Sequence, residues 1–124
     1  MQLISEIAVF LVAFLHVGFL VLEMFLWDTP RGRKVFGLTP EAAASSRALA
    51  ANQGLYNGFL AAGLIWAITL GQAGFGVTVF FLSCVVLAGI FGAFSAKRAI
   101  LWVQAVPGLA ALLLVLLARW GAAK

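Results

Sequence analysis

Between Ile4 and Trp27 the chain runs for about 24 residues with polar interruptions only at Ser5, Glu6, His16 and Glu23. As a helix rising ~1.5 Å per residue it is roughly 36 Å long, enough to cross a ~30 Å hydrocarbon layer with some tilt. His16 and Glu23 stand seven residues apart, almost two full turns, so they leave the same face. They lie about 10 Å apart along the axis and cannot touch. A charged group at such depth costs about 2.5–3.5 kcal/mol on insertion scales, so this face is expected to meet protein or water rather than lipid.

Three further apolar stretches follow, and with the first they use almost all of the 124 residues. Hydrophobic residues make up 65 % and charged residues 10 %, against roughly 25 % charged in an ordinary globular chain. The mean hydropathy is +1.13. These values exclude a water-soluble domain. A β-barrel would need segments of about ten alternating residues, which are missing. The expected fold is an all-α integral membrane protein, one domain over residues 1–124, with four transmembrane helices in an up-down-up-down bundle. The predicted spans are about 4–27, 47–70, 75–95 and 99–119. The first is not read as a cleaved signal peptide, because its start carries no positive residue and its apolar run outlasts the 7–15 residues of a signal core.

A net charge of +4 suggests an acidic partner until the positions are considered. Arg31, Arg33, Lys34 and Arg47 lie between the first two spans, and Lys97 and Arg98 between the last two. Only Arg119 and Lys124 lie elsewhere. This asymmetry predicts both basic loops inside the cytoplasm and both termini outside it, in the inner (cytoplasmic) membrane. The basicity is then topology, and nucleic acid is not an expected partner. Cys84 is the single cysteine and reads as a packing residue.

Trp27-Asp28-Thr29-Pro30 ends the first helix, and Thr29 to Thr39 is predicted as a loop, with Phe36 and Leu38 at the headgroup boundary. Thr39-Pro40-Glu41 reads as a helix start: hydroxyl cap, proline at the first position, acid in the first turn. Whether that helix lies along the interface before turning in, or continues directly into the second span, stays open. Gly54, Gly58 and Ala62 at four-residue spacing form a small-residue ridge for close helix approach. Gly71 to Gly74 is a tight turn, and Pro107 is expected to kink the last helix.

Aligning the spans by their midpoints puts Glu23, Asn52, Gln53, Tyr56, Asn57 and Gln104 in one slab of the cytoplasmic leaflet. Arg47, Lys97 and Arg98 fall at its mouth. The pattern predicts a cytoplasm-facing intramembrane pocket for a small polar or anionic molecule. In it Glu23 and Tyr56 handle a proton, and His16, Arg47, Asn52, Gln53, Asn57, Lys97, Arg98 and Gln104 bind the ligand. Each has a structural reading beside it. His16 serves equally as a helix–helix hydrogen bonder, Glu23 as a carboxyl bonded to Asn52 or Trp27, and Tyr56 as a packing aromatic. One histidine and one cysteine give no transition-metal ligand set.

His16-x6-Glu23-x3-Trp27, Pro30-x-Gly32, Phe36-Gly37 and Asn52-Gln53-Gly54-x2-Asn57-Gly58 together resemble an uncharacterised bacterial family of small integral membrane proteins, domain of unknown function thirteen-zero-four. A weaker resemblance, through Arg47 with Asn52 and Lys97-Arg98 with Gln104 and Pro107, is to the membrane-associated eicosanoid and glutathione (MAPEG) superfamily. It implies a MAPEG-like four-helix fold, a homotrimer, and glutathione or a thiol- or lipid-type ligand near the cytoplasmic face. One membrane-embedded glutamate in a four-span chain is also similar to the small multidrug transporters, which implies proton-coupled transport through Glu23. A third reading is a structural subunit without catalysis. All three place the chain in a bilayer, with homo-oligomerisation expected.

The topology is directly testable. Alkaline phosphatase fused after Lys124 is expected to be active and a green fluorescent protein fused there to be dark, with both signals reversed for fusions after Phe36. The opposite pattern would invert the assignment.

Overall fold

The computed structural model describes residues 2–124 and is helical throughout, with no strand among the described residues. Five helices follow in order: α1 (Gln2–Met24), α2 (Pro30–Phe36), α3 (Pro40–Thr69), α4 (Phe75–Ser95) and α5 (Val106–Ala122). A 3₁₀ turn, Gly71–Gly74, leads into α4, and a π-helical turn, Leu101–Ala105, leads into α5. Three helical segments are long and apolar enough to cross a membrane: Gln2–Met24, Gly71–Ser95 and Leu101–Ala122. The 30-residue α3 has the length but not the hydropathy, since Asn52, Gln53 and Asn57 fall within it.

The chain forms two compact units, Phe14–Ala61 on the one hand and Met1–Ala13 with Ala62–Lys124 on the other. In the Phe14–Ala61 unit, α1 stops at Met24, three residues before Trp27, so Glu23 stands in its last turn. The predicted loop from Thr29 to Thr39 is instead largely helix. Thr29 caps α2: its hydroxyl oxygen accepts from the Gly32 N–H (3.2 Å) and donates to the Leu26 carbonyl (2.7 Å). Pro30 supplies the first helical φ, as proline does at this position. Gly37 ends the helix at φ +67°, where a side chain would be strained, and the Leu38 N–H closes back on the Arg33 carbonyl at 2.9 Å. Phe36 packs against Trp27 with ring centroids 4.5 Å apart. Arg33 pairs with Asp28 at 3.1 Å and fastens α2 to the turn before it.

Thr39 caps α3 through the Ala42 N–H at 3.2 Å, and from Pro40 the helix is continuous to Thr69. No separate interfacial segment precedes the second long helix.

In the other unit α4 and α5 pack through small residues. A Cβ added to Gly89 would lie 2.6 Å from the Ala105 backbone nitrogen and 2.8 Å from its Cβ, so the two backbones meet there. Gly108 fits against Val85, and the Phe81 ring covers Gly63. Leu64, Leu82 and Val85 are fully enclosed. The expected kink at Pro107 takes the form of the π turn just before it. Proline has no N–H to donate, and its ring crowds the carbonyl four residues back. One extra residue in the turn moves that carbonyl aside, and the Val106 N–H returns to the Leu101 carbonyl.

Outside these cores the large apolar side chains point outward. Phe10, Phe14, Phe94 and Trp102 are each at least half exposed. Apolar exteriors of this extent are what a lipid-facing chain presents and what a soluble monomer avoids.

Gly89→Ala is therefore expected to lower unfolding stability in micelles by about 1–3 kcal/mol, the range for overpacking a filled contact. Gly76→Ala, where nothing lies within 4 Å of the added carbon, should leave it unchanged or slightly raised. Thermal unfolding of both variants in one detergent checks the contrast, and equal losses would remove the close-contact account.

Candidate functional site: the Glu23–Asn57 pair

Gly54 and Gly58 make this site possible. A Cβ on Gly54 would fall 2.6 Å from Met24 Cγ and 3.1 Å from Glu23 Cβ, and one on Gly58 would fall 2.6 Å from Leu20 Cδ1. Without those carbons α3 lies close along the last turn of α1. Asn57, beside Gly58 and about one turn beyond Gly54, then reaches across. Its Nδ2 donates to Glu23 Oε2 at 2.7 Å, a short bond for a neutral amide meeting a carboxyl oxygen. Both side chains are part-buried.

This register differs from midpoint alignment, which set Asn52 level with Glu23. The glycine ridge decides where the helices mesh, and it brings Gly54, Asn57 and Gly58 opposite Leu20 to Met24. Trp27, the other expected partner of the carboxyl, donates instead from Nε1 to the Ser46 hydroxyl at 3.0 Å.

The remaining predicted residues are placed as follows. His16 is buried at 1 % exposure, with its ring edge-on to Phe19 at 5.4 Å. Arg47, Asn52, Gln53 and Tyr56 are exposed on α3. The Tyr56 ring lies edge-on to Phe59 at 5.9 Å, and its hydroxyl is not hydrogen-bonded to Glu23. Lys97 and Arg98 are exposed in the turn after α4, and Arg98 borders a shallow apolar hollow with Phe94 and Trp102. Gln104, in the π turn, donates from Nε2 to the Val85 carbonyl at 3.5 Å, a long bond within its own unit. Of the predicted set, then, the structure joins Glu23 with Asn57. Among the described residues no three His, Cys, Asp or Glu side chains gather as a metal site would require.

Sequence reasoning missed a second feature: a cavity at the other end of α1, bordered by Glu6 and Arg119. The signal was present in oppositely charged residues at the tips of the first and last apolar helices. Glu6 is read from the sequence only as a polar interruption of the first span, and Arg119 only as a basic residue outside the two loops.

A helical chain with three membrane-length apolar segments, and a glutamate clamped by an amide in the last turn of the first, defines a small helical membrane protein. The profile of the family described as "Protein of unknown function (DUF1304)" matches residues 10–116, and the chain belongs to that family. It is also similar to the uncharacterized protein YpaA of Lactococcus lactis subsp. lactis (strain IL1403). The two are 30 % identical over 117 residues, covering 93 % of this chain and 97 % of that one. No solved structure matches. The weaker resemblance to the MAPEG superfamily finds no support in these comparisons, and Leu55 stands where that superfamily carries a glutamate three residues after its asparagine.

If the amide–carboxyl bond holds α1 and α3 together, Asn57→Ala should cost about 0.6–2 kcal/mol, the span measured for hydrogen bonds between membrane helices. A double-mutant cycle with Glu23→Ala, read by unfolding in micelles, should return most of that as coupling. Additive single losses would mean the bond contributes nothing.

Proposed function

We propose that the chain is a four-span membrane protein that exchanges a proton for a small cation at Glu23, with Asn57 as the positioning residue. One observation carries this reading: the carboxyl has a neutral donor and no cationic partner. Among the described residues the ion pair is Arg33–Asp28, and Glu23 belongs to none. An amide N–H can donate to a carboxylate oxygen or to the carbonyl oxygen of the protonated acid, so the clamp at Oε2 persists while Oε1 gains or loses its proton. The site also lies in the last turn of α1, where helix carbonyls lack intrahelical donors and the helix end carries partial negative charge. Carboxyl and carbonyl oxygens together favour a cation.

The topology proposed with this reading puts α2 and the Lys97-Arg98 turn on the cytoplasmic side, so Glu23 opens toward the cytoplasm. The fourth span is α3, long enough at about 45 Å to cross the bilayer and extend beyond it. Asn52, Gln53 and Tyr56, exposed on α3, give a second copy of the chain polar groups to pair with, and we include self-association in the proposal. A glutathione-type ligand is not favoured. One N–H of the Gln104 amide that would help hold it is turned to the Val85 carbonyl, and the acid expected three residues after Asn52 is Leu55.

In proteoliposomes holding a pH dye, an outward gradient of tetraphenylphosphonium, a lipophilic cation, is expected to drive protons inward with the wild-type protein. Glu23→Gln should abolish that flux, and Asn57→Ala should slow it several-fold. Flux through Glu23→Gln equal to wild type would refute the proposal.

A further inference from the structure

The cavity at the N-terminal end of α1 lies wholly within the unit that contains α4 and α5. Its volume is about 110 Å³, and the first turns of α1, the end of α3, the Gly71–Gly74 turn, the start of α4 and the end of α5 line it. Ligand pockets for drug-sized molecules run to roughly 300–1,000 Å³, so this one suits a headgroup or a fragment. Two of its bordering groups carry opposite charge, Glu6 and Arg119, and they do not form an ion pair with each other.

Among the described residues each charge is held by a neighbour that leaves it uncancelled. Gln2 Nε2 donates to Glu6 Oε1 at 3.2 Å. The Arg119 guanidinium lies over the Phe75 ring, 5.1 Å from its centroid, a contact that orients the cation without neutralising it. Gln72 adds a further amide to the rim. One small cavity thus presents a negative pole, a positive pole and an apolar floor of Phe75 and Val115. A mobile anion or cation alone would satisfy one pole and leave the other. A zwitterion satisfies both.

Position narrows the class. The cavity sits where α1 begins and α5 ends, level along α5 with the largely exposed Trp120, a residue type that marks the edge of the hydrocarbon layer. A planar guanidinium matches the oxygens of a phosphate, and a carboxylate matches a primary ammonium that still has N–H groups to donate.

We infer that this cavity binds a zwitterion made of a primary ammonium and a phosphate, the ammonium at Glu6 and the phosphate at Arg119. Such a group is presented by phosphatidylethanolamine and by free phosphoethanolamine. The site is separate from Glu23 and does not depend on the exchange reading.

The test uses the full chain purified in a non-ionic detergent. Added phosphatidylethanolamine is expected to raise the unfolding midpoint by about 5 °C, as a ligand well above its dissociation constant does. Phosphatidylglycerol, which lacks the amine, and phosphatidylcholine, whose ammonium has no N–H, should raise it by much less. Glu6→Gln and Arg119→Gln should each lose most of the rise, while Glu23→Gln keeps it. Native mass spectrometry should show the matching loss of bound phosphatidylethanolamine, which separates lost binding from lost folding. A rise with millimolar O-phosphoethanolamine as large as with the lipid would identify a soluble zwitterion as the ligand source, and a rise with the lipid alone would identify the bilayer. Equal stabilisation by all three lipids, or a full rise in both cavity variants, would overturn the inference.

Discussion

The structure depends on places where two helix backbones come close enough for a hydrogen atom but not a methyl group. Apolar helices in a bilayer gain little by burying more apolar surface against one another, because lipid tails are equally apolar. What remains is contact distance, and glycine sets it. At Gly89 the facing group is the Ala105 backbone itself, and at Gly54 it is the side chains and carbonyl of the last turns of α1. The enclosed residues agree: alanine recurs among them at positions 13, 43, 50, 61, 67, 105 and 111, while most phenylalanines and tryptophans are exposed and none is fully enclosed. A soluble core would place the large residues inside.

These close approaches decide which polar groups can meet. Asn52 and Asn57 have the same chemistry and stand five residues apart on one helix. Only Asn57 follows the ridge closely enough to reach Glu23, while Asn52 stays exposed. The candidate site is thus a by-product of packing: absent side chains at Gly54 and Gly58 put a carboxyl and an amide 2.7 Å apart. In the other unit Gln104 follows the same logic. The contact of Gly89 with Ala105 draws the π turn against α4, where the glutamine amide meets the Val85 carbonyl.

Much of this was legible beforehand in particular residues. Apolar runs without helix breakers marked the long helices, Thr39 and Pro40 marked the start of α3, and Gly71 to Gly74 marked the turn into α4. Thr29 and Pro30 carry the same cap signal as Thr39 and Pro40, yet α2 went unread. Its seven residues include a glycine and three cations, a composition that belongs equally to a loop. The register of α1 against α3 was misjudged for a physical reason. Midpoint alignment assumes that spans centre themselves in the bilayer, whereas meshing follows the positions lacking a Cβ. The Pro107 distortion was foreseen in place, and the π turn Leu101–Ala105 is the form it takes. The terminal cavity was missed because it takes residues from four helices, and no single stretch of sequence announces it.

The acids reveal a rule that neither unit shows alone. Asp28, in the polar turn between α1 and α2, is met by an arginine. Glu6 and Glu23, at the two ends of the apolar α1, are each met by a neutral amide, Gln2 and Asn57. Pairing with arginine cancels the charge and leaves little for a third body. A single amide donor fixes the orientation of the carboxyl, occupies one of its oxygens and leaves the net charge in place. In water that difference is small, since solvent screens both arrangements. Beside a hydrocarbon layer the uncancelled carboxyl draws whatever positive group can reach it, proton, cation or ammonium, and the amide holds it ready. Amides rather than arginines thus stand next to the acids at both ends of α1, while most of the basic residues gather in α2, at the start of α3 and in the Lys97-Arg98 turn, away from those acids along the chain.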